Sequence, residues 1–344
     1  VPAVSGKRAA QIGALVGSLS AGIAAGLVAE RRVVHRRTQV PGEAPQLPPG
    51  REALVIASDG VPLHVEEDGP PDAPLTIVFA HGYTLSSACW CFQREGLQDL
   101  GRLVSYDQRS HGRSGHSDAE NCTIEQLGAD LERILDERVP EGPVVLVGHS
   151  MGGMTIMSLA DRRADLFGDR IVAVALIGTS AGKLASVTFG LPALAGVALQ
   201  RTLPRISVGL SRRAKVLERA RRGGSDLSYA LTRHLSFASP VPTEVLDLMD
   251  RMITETPVEV ISAFAPALLR HDKLAALPVL KNIPTLVLVG AKDVLTPPEH
   301  SEEIAAALPE AEHVVVPDSG HMVMLERPDE VNRHLRELIR RAGE

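Results

Sequence analysis

From residue 53 onward the chain alternates between two hydrophobic rhythms. Short runs dense in Val, Ile and Leu recur at 53–57, 63–67, 75–80, 103–106, 144–147, 171–177, 285–289 and 313–316. Runs this short and this apolar predict strands, most of them buried on both faces. Between them the apolar positions follow a 3.6-residue repeat. In 122–137, Ile124, Leu127, Leu131, Ile134 and Leu135 make one stripe, the mark of a helix with a single face against a core. Stretches 151–160, 298–308 and 328–341 read as further helices. Strands alternating with helices predict an α/β fold, a mostly parallel sheet covered on both sides.

The alternation stops over 182–277, where a long helical pattern runs unbroken by strand signals, and resumes near Pro284. The expectation is a helical cap inserted into one α/β core, with 53–181 as the first part of the core and 278–344 as the second. Residues 41–52 form a linker, with four prolines between Pro41 and Pro49. Residues 1–40 hold an uncharged run at 9–29, flanked by Lys7 and Arg8 before and Arg31, Arg32, Arg36 and Arg37 after. A run of about twenty residues has the length to span a bilayer. Its strong hydrophobes are few, because Gly, Ala and Ser fill most of it. Membrane association through 9–29 and a dispensable Ala-rich tail both stay open, and with them a membrane-associated or a cytoplasmic location. Gly13, Gly17, Gly22 and Gly26 are spaced to let two such helices approach closely in lipid. A cleaved signal peptide fits less well, since arginines follow the run where small residues would be needed.

Composition narrows the function classes. Of 344 residues, 44% are apolar and 23% charged, so the chain can bury a core and is not disordered throughout. The net charge of -6 and the dispersed arginines exclude nucleic acid as an expected partner. Cys89, Cys91 and Cys122 lack the paired spacing of a zinc site or a disulfide framework and read as small buried hydrophobes.

The chemistry concentrates after the apolar run Val144-Val145-Leu146-Val147. It leads into Gly148-His149-Ser150-Met151-Gly152 and then into helical pattern. A serine on a tight strand-to-helix turn projects its hydroxyl, and Gly148 and Gly152 are needed where side chains would strike backbone. A serine hydroxyl needs a base, and the base needs an acid to fix its tautomer. His321 follows the last strand on a loop, and Asp293 follows the strand before it, both at the edge where Ser150 should emerge. Asp318 competes with Asp293 by nearness in sequence. His300 and His313 compete with His321 but fall in helix and strand patterns. His149 reads as a packed side chain rather than the base. The oxyanion of acyl transfer needs preorganised donors. The Met151 N–H is one, and the Tyr83 N–H is the other, with Gly82 permitting the turn and His81 shaping it. The polar stretch from Asp107 to Ser114 is assigned to structure, held by charge-assisted hydrogen bonds.

On the His81-Gly82 loop, the Gly148 to Gly152 turn, Asp293 and His321, the chain from about Ala53 to Arg341 resembles the α/β-hydrolase superfamily. The likeness is to the capped, bacterial serine-esterase branch. That resemblance implies eight strands with one antiparallel, a cap after the sixth strand, and catalysis without cofactor or metal. Ser110 departs from the glycine common at that loop position in relatives. The implied reaction is cleavage of a small-molecule carboxylic ester through an acyl-enzyme. The apolar stretch Phe189 to Leu199 would line an acyl pocket or pack the cap. Perhydrolase or haloperoxidase, thioesterase, peptidase and carbon–carbon hydrolase chemistries would use the same triad. A catalytically weak ligand-binding protein of the same fold is the reading from a different class.

Overall fold

A computed structural model describes residues 50–187 and 232–343. The apolar run 9–29, the residues before Gly50 and the stretch Phe189 to Leu199 lie outside the described residues. Eight strands, β1 (Arg51–Ile56), β2 (Pro62–Asp68), β3 (Thr76–Ala80), β4 (Arg102–Tyr106), β5 (Val144–His149), β6 (Ile171–Ile177), β7 (Thr285–Gly290) and β8 (Glu312–Val316), form one sheet. Their order is β1-β2-β4-β3-β5-β6-β7-β8. β2 pairs antiparallel with both β1 and β4, and every pairing from β4 to β8 is parallel. β2 is therefore the single reversed strand. Each predicted strand is present, with ends moved by at most two residues.

β5 lies inside the sheet, between β3 and β6, and all six of its residues are buried. Side chains alternate between faces along a strand. Leu146 therefore joins Val78, Val104, Val174 and Val287 in one core layer, while Val145 and Val147 join Ile77, Phe79, Leu103, Ala175 and Leu288 in the other. The first layer is closed by α2 (Ile124–Arg138) and α3 (Met151–Arg162). The predicted stripe of α2 is its buried face. Thr123 caps its N-terminus by accepting the Gln126 N–H at 3.1 Å, an interaction worth about 1 kcal/mol. The second layer is closed by α1 (Cys91–Leu97) and by α8 (Pro328–Ala342), through Val331, Leu335 and Leu338.

Between β6 and β7 the described residues carry α4 (Thr243–Glu255) and α5 (Val258–Arg270), set at 90° to one another. α4 buries Val245, Leu246 and Met249 in the second core layer. α5 places Val260, Phe264 and Ala267 in a smaller cluster with Ile124, Leu127, Met151 and Met154. Among the described residues no single helix is long and apolar enough to cross a membrane. α6 (Pro298–Ala307) and the one-turn α7 (Val323–Glu326) complete the helices named here. All three cysteines are buried thiols, as their spacing implied.

Candidate active site

Ser150 closes β5 and opens α3, with φ 52° and ψ -118°. A side chain other than glycine pays for a positive φ, so the turn is held by its surroundings. Those surroundings are backbone. A Cβ at Gly152 would stand 2.0 Å from the Ala80 carbonyl oxygen, and one at Gly148 would stand 2.6 Å from the Gly152 backbone. The chain therefore folds tightly at these two positions, and the Ser150 N–H is anchored to the Ile177 carbonyl at 2.9 Å.

The β7 and β8 loops bring the acid and the imidazole together. His321 Nδ1 donates to Asp293 Oδ2 at 2.8 Å, which leaves the lone pair on Nε2. Asp293 is buried and its other oxygen accepts the Leu295 and Thr296 N–H groups at 2.8 and 2.9 Å. The Thr296 hydroxyl donates to Oδ2 at 2.8 Å and lies 3.3 Å from His321 Nδ1. Asp318, the competing acid, is exposed and pairs with Lys292. His300 bonds Ser180 and His313 bonds Ser301, so neither shares this arrangement.

His149 ties the two halves. Its ring packs 4.7 Å from that of His321, and Nε2 donates to the His321 carbonyl at 3.0 Å. Full burial, and then the neighbouring His321, hold His149 well below the ordinary histidine range and therefore neutral. Ser150 is the next residue in the chain. His321 makes no side-chain hydrogen bond to Ser150 among the described residues; such contacts commonly close only around substrate.

The loop after β3 faces Ser150 from the other side. A Cβ at Gly82 would lie 3.1 Å from Ser150 Cβ, so the backbone there runs directly against the serine. His81 is fully buried, which lowers its pKa. Its Nε2 accepts the Gln108 N–H at 2.9 Å and its Nδ1 donates to the Gly82 carbonyl at 2.7 Å. That bond turns the Gly82 oxygen toward His81. The N–H of the same trans peptide, belonging to Tyr83, then points the opposite way. The Met151 N–H is the first of α3 and lies beyond the reach of the helix's own carbonyl ladder. Tyr83 also donates its hydroxyl to the Ile261 carbonyl of α5.

The loop after β4 is structural scaffolding. Burial pushes the Asp107 carboxyl up, but His64, His81 and the Ser87 and Arg113 N–H groups outweigh it and hold it below the usual carboxylate range. Arg109 is buried between Asp130 and Asp59, with forked bonds of 2.6 and 2.7 Å to the former. Removing one partner from such a buried pair costs about 3–5 kcal/mol. Ser110 stands at φ 65°, the conformation glycine adopts without strain, and its hydroxyl accepts the Ser117 N–H at 2.9 Å. Among the described residues one group, Glu52, His64 and Glu66, has metal-ligand spacing. It lies on the β1–β2 ribbon, and the Arg113 guanidinium already sits against it.

The structure thus brings Ser150, His321, Asp293, the Gly82–Tyr83 peptide and the Met151 N–H to one end of the sheet. Thr296 and the roles of His149 and Gln108 escaped the sequence reading. Thr296 had a local signal, a hydroxyl residue three positions after Asp293 that can bond back to a side chain.

Comparison with known proteins agrees with this architecture. The sequence profile of the alpha/beta hydrolase family matches residues 77–334. The chain is 27% identical over 270 residues to the sn-1-specific diacylglycerol lipase of Mus musculus, covering 76% of this chain and 80% of that one. It is 28% identical over 282 residues to 3-oxoadipate enol-lactonase 1 of Acinetobacter baylyi, covering 80% and 92%. A solved thermophilic esterase from Thermogutta terrifontis superposes with a TM-score of 0.65 at 28% identity, covering 86% of this chain and all of that one.

Proposed function

The chain belongs to the alpha/beta hydrolase family, and on that premise we propose that it cleaves a carboxylic ester with Ser150 as nucleophile, His321 as general base and Asp293 as the acid that orients it. The observation that carries the reading is the Asp293–His321 bond beside a serine held at φ 52°. His321 Nε2 takes the Ser150 proton as the hydroxyl attacks the carbonyl, then returns it to the leaving alcohol. Water enters by the same route and releases the acid. The N–H groups of Met151 and Tyr83 meet the oxyanion, each worth roughly a hundred- to a thousand-fold in rate.

The apolar cluster of Val260, Phe264 and Ala267 with Met151 and Met154 supports an apolar acyl group, because it abuts the oxyanion side of Ser150. α4 and α5 belong to a cap, spanning 182–277 of the sequence, over a core formed by 53–181 and 278–344. Similarity to an esterase, a lipase and an enol-lactonase supports an ester substrate.

The test is the initial rate on p-nitrophenyl esters of increasing acyl length, with fluorophosphonate labelling. Wild type should turn over and label on Ser150, while Ser150→Ala should lose about 10⁴-fold or more in kcat. Labelling without ester turnover would move the reading to another chemistry on the same serine. Absence of labelling would favour the ligand-binding alternative.

A further inference from the structure

Glu326 ends α7, is only 6% exposed, and has no arginine, lysine or histidine paired to its carboxylate among the described residues. A buried carboxylate without a cation is costly unless hydrogen bonds replace its water. Here they do. Oε1 accepts the Ala238 N–H at 3.0 Å, the Ser239 N–H, and the Ser239 hydroxyl at 2.6 Å, while Oε2 accepts the Gly320 N–H at 2.6 Å. The two oxygens therefore face different parts of the chain. One holds the segment that leads into α4, and the other holds the residue before His321.

The residue after His321 is tied to the same segment, since the Met322 N–H donates to the Ser236 carbonyl at 2.9 Å. Gly320 is pressed against it as well; a Cβ there would stand 2.8 Å from the Ser236 oxygen. Both backbone neighbours of His321 are thus fixed to 236–239, one directly and one through Glu326. Asp293 sets the tautomer of the imidazole, and this clamp sets where the loop carrying it stands.

We propose that Glu326 is a positioning residue that couples the segment between β6 and β7 to the proton-transfer geometry of His321. The proposal rests on the reading of His321 as general base. Movement of 236–239 would pass through one carboxylate to the base, whose alignment matters because a misplacement of about 1 Å can cost about 100-fold in rate.

Glu326→Gln separates the two bonds. It keeps a carbonyl oxygen for Ala238 and Ser239 but sets an amide NH₂ against the Gly320 N–H, donor to donor. A base that is displaced rather than absent should fail most where the leaving group needs its proton. The measurement is kcat/KM on ethyl butyrate and on p-nitrophenyl butyrate, for wild type, Glu326→Gln and Ser239→Ala, each checked for folding by near-ultraviolet circular dichroism. For Glu326→Gln the expected loss is about 30-fold on the ethyl ester and about 5-fold on the p-nitrophenyl ester. Ser239→Ala, which removes one of the bonds on the other oxygen, should lose about two- to five-fold with the same inequality. Equal losses on the two esters, or unchanged rates, in a folded Glu326→Gln protein overturn the proposal. If Glu326→Gln does not fold, Ser239→Ala decides by the same criterion. A wild type that hydrolyses neither ester and takes no fluorophosphonate label overturns the base assignment and the proposal together, an outcome distinct from an active wild type with equally affected variants.

Discussion

The Ser150 turn and the His321 loop sit side by side but are held by different balances of steric packing and side-chain hydrogen bonding. Ser150 owes its strained backbone to close packing of main chain on main chain, at Gly148 and Gly152. His321 relies, beyond the backbone contacts of Gly320 and Met322 with Ser236, on side-chain hydrogen bonds: Asp293 on its Nδ1, His149 on its carbonyl, and Glu326, five residues on, at the N–H before it. Steric packing is stiff and fails as a unit, because interiors have little spare volume. Hydrogen-bonded loops can lose one bond and keep the fold. Substitutions in the first region should therefore damage stability and activity together, and substitutions in the second should damage activity while sparing stability.

Asp293→Asn should show the larger effect on rate. An asparagine amide can present N–H to Nδ1 and so favour the tautomer with its proton on Nε2, which cannot accept the serine proton. A loss of about 10³- to 10⁴-fold in kcat is expected, with the protein still folded. Kinetics on a p-nitrophenyl ester and a thermal melt on one preparation would decide it. Rates within tenfold of wild type would mean that Asp293 does not set the tautomer.

Gly152→Ala probes the other region. The added methyl would meet a backbone oxygen at 2.0 Å, and no side-chain rotation can relieve that contact. The expected destabilisation is about 3 kcal/mol or more, with activity falling in step as the turn opens. A variant melting within a degree or two of wild type would break the contrast between the regions, because it would show that the turn can yield.

The same contrast explains what was legible in the sequence. The Ser150 turn is written in consecutive letters: a strand, two glycines at fixed spacing, a serine and a helix. Steric demand at each position selects residue type locally, so the motif can be read without the fold. Asp293 and His321 were legible by their places after β7 and β8, which the hydrophobic rhythm had already located. Their supports were not. Glu326 lies 87 residues from Ser239, and nothing in either neighbourhood announces the bond. The strands were legible almost to the residue because β3 to β7 are buried enough to demand continuous apolar runs. α1 escaped because it has seven residues, too few to show a period, and begins at the buried Trp90 and Cys91.

The smallest effect concerns pH, and it follows from burial on the Ser150 side. His111 packs edge-on against His81 and tilted against Phe264, with Nδ1 donating to the Arg109 carbonyl at 2.9 Å. Burial lowers its pKa from 6.5 to about 3. Burial likewise lowers His81, His149 and His271, the last to about 4. For a group whose folded value is depressed, the unfolded chain binds more protons between the two values. Its contribution to stability is complete above pH 6.5 and drains away as pH falls toward 3. Each such histidine can steepen the loss by up to about 1.4 kcal/mol per pH unit. His111→Asn keeps a donor for the Arg109 carbonyl and removes one titration. Its stability should therefore decline less steeply than wild type between pH 6 and pH 4, measured by urea unfolding at each pH. Parallel slopes would show that His111 takes up its proton in the folded protein over that range, and the packing around the loop after β3 would then be loose enough to admit a charge.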